Sequence, residues 1–317
     1  MSKYNSIIIL GPTGTGKTDI SIKLAELLGG EIINADSMQI YKYLNIGTAK
    51  ATAKEQSLIK HHLLDIVEPN STFSVSEYKS LALEKCRELI NNNITPIIVG
   101  GTGFYIESLL SNFTYGDIRD DNYRKQLTEI ANKNGKQFVY EILMEKDPDT
   151  AKKLHYNDIK RVIRALEILK VTGKTKSELV LKDQSRSNSK TFLNPLIIGL
   201  NGDREKLYER LNLRVDIMVK NGLVDEVKNC KNMGLTLKDQ SMAGIGYKEL
   251  LTYIDGKCDF NTAIENIKLN TRHYAKRQLT WFNHMKDIKW FDIFKKSKDE
   301  IVSAIIELYE SKQDKTN

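Results

Sequence analysis

Four short apolar runs stand out along the chain: Ser6-Ile7-Ile8-Ile9-Leu10, Glu31-Ile32-Ile33-Asn34, Pro96-Ile97-Ile98-Val99 and Leu196-Ile197-Ile198-Gly199-Leu200. Compact, isoleucine-rich runs of this kind read as strands buried on both faces of a parallel sheet. Apolar residues between them keep helical spacing, as in Ile20, Leu24, Leu27 and Leu28 after the first run and in a helix around 76–91 before the third. Strands alternating with helices predict an α/β fold with a doubly wound sheet. The third and fourth runs lie about 95 residues apart, too far for a single crossover. Within that gap, residues 120–182 show helical periodicity with breaks at Gly135, Pro148 and Gly173. The pattern therefore predicts an all-helical insertion over 115–192, returning through the polar stretch 183–190, between core segments 1–114 and 193–317. After the fourth run everything reads as helix: one or two over 203–232, a long one over 259–286 and an amphipathic one over 298–311. The tail 311–317 is expected to fray.

The first run leads directly into Gly11-Pro12-Thr13-Gly14-Thr15-Gly16-Lys17-Thr18, the pattern G-x-x-x-x-G-K-[ST]. Glycines let successive backbone N–H groups converge on an anion, and the following helix N-terminus adds partial positive charge. Lys17 supplies a full charge, and the Thr18 hydroxyl is placed to ligate Mg²⁺. The strand before and the helix after are the setting such a loop requires. The core is thus expected to be a parallel sheet like that of the P-loop NTPases, gripping a phosphorylated small molecule.

Composition narrows the partners. The 317 residues carry 48 Lys and Arg against 41 Asp and Glu, a formal net charge of +7 that favours a polyanion. Three cysteines, Cys86, Cys230 and Cys258, lie far apart with no C-x-x-C, which argues against a zinc site or a disulfide framework. No stretch is long and apolar enough for a membrane span, and the N-terminus lacks a signal-peptide layout, so a cytoplasmic protein is expected.

Ligands of open α/β sheets sit at the carboxyl ends of strands. There the second strand offers Asp36, as metal ligand, general base or helix cap, and the third offers Gly100-Gly101-Thr102-Gly103. The Thr102 hydroxyl can bond whatever Asp36 contacts, or simply belong to a turn. Only two isoleucines precede polar Asn34, which favours a substrate-facing carboxylate over a nucleotide-hydrolysis site. Basic residues cluster twice. Residues 160–176 carry Lys160, Arg161, Arg164, Lys170, Lys174 and Lys176 against Glu167 alone. Residues 268–298 carry nine Lys and Arg against two Asp, interleaved with His273, Tyr274, Trp281 and Phe282. Charge with interleaved rings suits nucleic acid, although a solvated helix face accounts for each cluster alone. Arg210 and Arg214, one helical turn apart, can clamp a diphosphate or form surface pairs. His61 and His62 point different ways on any regular element and read as structural.

Taken together, these segments resemble one family. The phosphate loop is followed by Asn34-Ala35-Asp36-Ser37-Met38-Gln39-Ile40-Tyr41, Ile46-Gly47-Thr48-Ala49-Lys50, His62-Leu63-Leu64-Asp65-Ile66 and Val99-Gly100-Gly101-Thr102-Gly103-Phe104-Tyr105. Then come residues 157–167, Gly244-Ile245-Gly246-Tyr247 and Tyr274-Ala275-Lys276-Arg277-Gln278-Leu279-Thr280-Trp281-Phe282. From about residue 7 to residue 290 the chain is similar to the bacterial tRNA dimethylallyltransferases. That resemblance implies transfer of a dimethylallyl group from dimethylallyl diphosphate to N6 of adenosine 37, in tRNAs reading codons that begin with U, with diphosphate released. It implies Mg²⁺ as cofactor, the anticodon stem-loop of tRNA as partner, and a monomer. Asp36 would be the general base, with Thr102 on the target adenosine and Lys17 on the leaving group. Gly11 to Thr18 and Arg214 would hold the diphosphate. Asp36, Ser37, Met38, Gln39, Thr102, Arg124, Lys160, Arg161, Arg164, Gly246, Tyr247, Lys276 and Arg277 would lie along tRNA. Three other readings compete. An ATP-using small-molecule kinase leaves both basic clusters unexplained. An adenylate isopentenyltransferase needs no large insertion. A non-catalytic RNA-binding protein needs neither Asp36 nor an intact phosphate loop.

Overall fold

The computed structural model describes residues 4–111, 120–179 and 192–311. The chain divides into two compact units, Met1–Leu110 with Phe192–Asn317, and Ser111–Thr191. The first is built on a six-stranded, wholly parallel sheet of order β3-β2-β4-β1-β5-β6. Its strands are β1 (Ser6–Leu10), β2 (Gly30–Asn34), β3 (His61–His62), β4 (Thr95–Gly100), β5 (Pro195–Asn201) and β6 (Lys289–Asp292).

β1 is central, with Ile7 opposite Ile97 of β4 and Leu196 of β5. Every residue of β1 is buried, which is why it reads as an unbroken apolar run. Its side chains nonetheless alternate: Ile8 and Leu10 join one hydrophobic cluster, Ile7 and Ile9 another on the opposite face. The Ile7 face is covered by α1 (Lys17–Leu28) and α14 (Lys298–Glu310). The Ile8 face carries α3 (Val75–Asn91) and α4 (Gly103–Leu110), with α2 (Ala53–Leu58) in the β2–β3 connection. It also carries α10 (Arg204–Lys220), α11 (Leu223–Asn232), α12 (Tyr247–Ile254) and α13 (Phe260–Phe282).

All four predicted strands are present. Two more are not visible as runs. β3 is two histidines long, and β6 is an edge strand, Lys-Trp-Phe-Asp, whose residues are exposed or half-buried. The expectation of helix alone after the fourth strand is therefore corrected at Lys289–Asp292, which pairs in parallel with β5. His62 lies on β3 with Nε2 2.5 Å from Glu31 Oε2, and His61 Nδ1 is 2.7 Å from the Ile59 carbonyl, both structural contacts.

In the second unit the described residues form α5 (Asp121–Asn134), α6 (Lys136–Lys146), α7 (Pro148–Ala151), α8 (Ile159–Thr172) and the helical residues 176–179 (α9). They enclose their own core of Leu127, Val139, Leu143, Val162 and Leu166. The expected boundary at 115, the polar return 183–190 and the tail 312–317 lie outside the described residues.

Candidate active site

Gly11 follows β1 at φ 147°, and a Cβ there would meet the Leu200 carbonyl oxygen at 2.3 Å, so only glycine lets the loop leave the sheet at this point. α1 begins behind Gly16 with no side-chain cap, whereas Ser74 and Ser297 cap α3 and α14. No side chain therefore takes up the first amides of α1. Lys17 Nζ donates to the Gly11 and Pro12 carbonyls at 2.9 and 2.8 Å, and Thr15 Oγ1 donates to Pro12 O at 2.8 Å. Burial lowers the Lys17 pKa to about 8; the Asp36 carboxylate opposes that shift and the Arg214 guanidinium adds to it. Arg214 itself, on α10, is lowered first by burial and then by Arg210, against Asp36. Arg210, one turn earlier, is exposed and reaches the Gly14 carbonyl at 3.3 Å. The two arginines thus take different stations: one on the loop's rim, one beside Lys17 and Asp36. Thr18 follows Lys17 in the first turn of α1 and is half-buried.

Asp36 follows β2 and is braced from within its own turn. Asn34 Oδ1 accepts from the Asp36 amide at 3.0 Å, and Asn34 Nδ2 donates to the Asp36 carbonyl at 3.0 Å. One carboxylate oxygen, Oδ1, accepts from the Met38 amide at 2.9 Å. Its second oxygen has no hydrogen bond among the described residues, and no helix starts here, so a capping role does not account for it. Thr102, after β4, accepts from the Ser37 amide at 2.9 Å and donates to Ser37 Oγ at 3.2 Å, joining the two strand-end turns. Tyr274 of α13 lies beside Thr102, and its phenol is pushed well above the usual range, first by burial and then by the Asp36 carboxylate.

The sheet edge thus gathers the loop 11–18, Asp36, Ser37, Thr102 and Arg214. Other expected contacts stand elsewhere. Tyr247 is fully buried, its hydroxyl 2.5 Å from Glu226 Oε1, and Gly246 is buried beside it. Tyr247 and Gly246, expected along tRNA, are both buried here and help to anchor the connection after β2. Glu226 accepts from the Asn45, Ile46 and Gly47 amides at 2.8–3.1 Å, and the Tyr247 ring occupies the space over Gly47. Met38 fits over Gly244, where a Cβ would meet its terminal methyl at 2.7 Å, and Gln39 Nε2 donates to Thr48 O at 3.0 Å.

In the helical unit, Arg124 and Arg164 do not project outward with Arg161. Both converge on fully buried Glu167, Arg124 Nε at 2.7 Å from Oε1 and Arg164 Nη1 at 2.5 Å from Oε2. Burial alone raises the Glu167 pKa, but these two arginines and the Asp120 amide outweigh it and lower the net value. Lys160 and Arg161 are exposed, as are Lys276 and Arg277 on α13.

Sequence reasoning missed Gln278. It is buried, accepts from the Thr13 amide at 2.9 Å through Oε1, and donates to the Gly101 carbonyl at 2.8 Å through Nε2. Its place in a basic, aromatic helix suggested an outward face. The signal available was its spacing, four residues after Tyr274, on the buried side of α13.

The IPP transferase family model matches residues 39–285, most of the chain. The chain belongs to that family. As an IPP transferase it shares its fold with the full-length tRNA isopentenylpyrophosphate transferase of Bacillus halodurans, at 41% identity over 97% of each chain and a TM-score of 0.71. The tRNA isopentenylpyrophosphate transferase of Staphylococcus epidermidis is 39% identical, over 95% of this chain and 97% of its own, with a TM-score of 0.70. A eukaryotic dimethylallyltransferase acting on tRNA is 29% identical, over 98% of this chain and 81% of its own, with a TM-score of 0.80. Membership of the IPP transferases makes this chain a prenyl-group transferase, and no helix among the described residues is long and apolar enough to cross a membrane.

Proposed function

We propose that this protein transfers the dimethylallyl group of dimethylallyl diphosphate to N6 of adenosine 37 in tRNAs that read codons beginning with U, in the cytoplasm. The observation that carries the reading is the meeting of an anion-binding loop with a half-exposed carboxylate at one sheet edge, Lys17 and Asp36 each within the other's field.

The adenine N6 amine is a poor nucleophile because its lone pair is delocalised into the ring. Taking the base out of the anticodon loop costs a few kcal/mol. The free oxygen of Asp36 then accepts the N6 proton as the C–N bond forms, while Thr102 holds the base. On the donor, the C1–O bond breaks and charge gathers on the departing diphosphate. Lys17, Arg214 and the loop amides stabilise that charge. No group of three His, Cys, Asp or Glu able to hold a metal occurs among the described residues. A cation here would be shared between the Thr18 hydroxyl and diphosphate oxygens, a hard oxygen set that suits Mg²⁺. When bound, Mg²⁺ supplies further charge to the leaving group. Lys160, Arg161, Lys276 and Arg277, all exposed, supply charge for the tRNA backbone.

The test is incubation with labelled dimethylallyl diphosphate and total tRNA, followed by nucleoside digestion and mapping of the labelled position. Label is expected in N6-(dimethylallyl)adenosine from position 37, with one diphosphate released per transfer. Label appearing only in free adenylates would overturn the reading.

A further inference from the structure

Gln278 stands between two segments that the proposed reaction assigns to different substrates. Thr13 belongs to the loop that takes the diphosphate, and Gly101 adjoins Thr102, which faces the adenosine. The residue reaches both with one amide group: Oε1 accepts from Thr13 N–H at 2.9 Å and Nε2 donates to Gly101 O at 2.8 Å. The partners lie 265 and 177 residues away in sequence, so neither bond is local helix chemistry. Gln278 is 5% exposed, and a Cβ on Gly101 would come within 2.2 Å of its Nε2, so the turn is shaped around the amide. The same helix places Tyr274 on Thr102 and sets Trp281 against Gly103, where a Cβ would meet the indole at 2.5 Å. Three successive turns of α13 therefore contact the β4–α4 turn, but of these three side chains Gln278 is the one hydrogen-bonded to the phosphate loop as well.

We propose that Gln278 is a positioning residue that fixes the distance between the diphosphate loop and the adenosine-facing turn. The proposal rests on the reading above and deepens it. Prenyl transfer requires the allylic carbon and N6 to meet at near-contact distance, and misplacement by about 1 Å can cost two orders of magnitude in rate. A buried amide that donates to one pocket and accepts from the other suits this duty. An apolar side chain of similar length would leave the part-buried Thr13 donor and the buried Gly101 acceptor unpaired.

Three proteins test this: wild type, Gln278→Leu and Gln278→Glu. Wild-type prenylation of tRNA tests the functional reading by itself. Hydrogen exchange on the peptide covering residues 11–18 tests the tie by itself, in folded protein without substrates. Gln278→Leu is expected to speed exchange at that loop. It should lower kcat/KM for dimethylallyl diphosphate about tenfold or more, equivalent to about 1.4 kcal/mol, and leave the tRNA Kd within about twofold. Gln278→Glu keeps an acceptor for Thr13 but sets a carboxylate against Gly101 O. Once protonated, that carboxyl regains a donor. The ratio of its kcat/KM to wild type should therefore rise as pH falls, whereas the Gln278→Leu ratio stays level. Unchanged loop exchange in folded Gln278→Leu, or a Gln278→Glu ratio independent of pH, overturns the proposal even if wild type prenylates tRNA normally.

Discussion

At Lys17 the fold sets burial and the Arg214 guanidinium against the Asp36 carboxylate. Burial and Arg214 disfavour the ammonium, Asp36 favours it, and the outcome is a pKa of about 8. A diphosphate needs that ammonium charged. In the free protein Lys17 is charged below pH 8 and neutral above it, so with Lys17 on the diphosphate as proposed, donor binding should be strong at low pH and weaken as pH rises through 8. Linkage then gives a donor Kd about tenfold higher at pH 9 than at pH 7. Binding of dimethylallyl diphosphate, measured at constant ionic strength, checks this. A flat profile would mean that the loop holds the diphosphate without Lys17. The motif made Lys17 legible from the chain, since G-x-x-x-x-G-K-[ST] carries its own geometry. Arg214 was legible only as one of two arginines a helical turn apart; its place beside Lys17, some two hundred residues away, comes from tertiary packing. Gln278, farther still along the chain, reaches Thr13 of the loop in the same way, which no local pattern encodes.

Among the elements, those buried on both faces were the most legible. β1, β2, β4 and β5 each bury at least two isoleucines or leucines in succession, and that leaves an unmistakable run. β6 is an edge strand that packs Phe291 inward while Trp290 stays 40% exposed, so its four residues resemble any loop. α8 shows the opposite error. Its cation-rich sequence reads as one basic face, yet Arg164 turns inward to Glu167 while Lys160 and Arg161 stay in water. A buried acid inverts the role of the cations around it, and i,i+3 spacing alone does not reveal that. Replacing Lys160 or Arg161 with Gln should weaken tRNA binding and reduce the slope of log K against log salt by about 1 for each phosphate no longer engaged. Arg164→Gln is expected to act on stability instead, by about 1–3 kcal/mol, because it strips a partner from buried Glu167. Denaturant unfolding beside a salt titration separates the two effects. A full salt-slope change in Arg164→Gln with unaltered stability would reverse these assignments.

For the whole molecule, a phosphate loop common to many nucleotide-using proteins is built into an IPP transferase. The sheet presents the loop, Asp36 and Thr102 at the carboxyl ends of neighbouring strands, the usual ligand edge of an open α/β sheet. α13 then closes over that edge with Tyr274, Gln278 and Trp281. Such a site can break a C–O bond to diphosphate without any phosphoryl transfer, provided a base stands across from the leaving group. In the proposed reaction Asp36 is this base. Single-turnover prenylation of tRNA by Asp36→Asn, with tRNA affinity measured in parallel, tests it most directly. The rate should fall by about 10²-fold or more, within the usual contribution of a general base, while the tRNA Kd stays within about twofold of wild type. A wild-type rate in that variant would contradict the account.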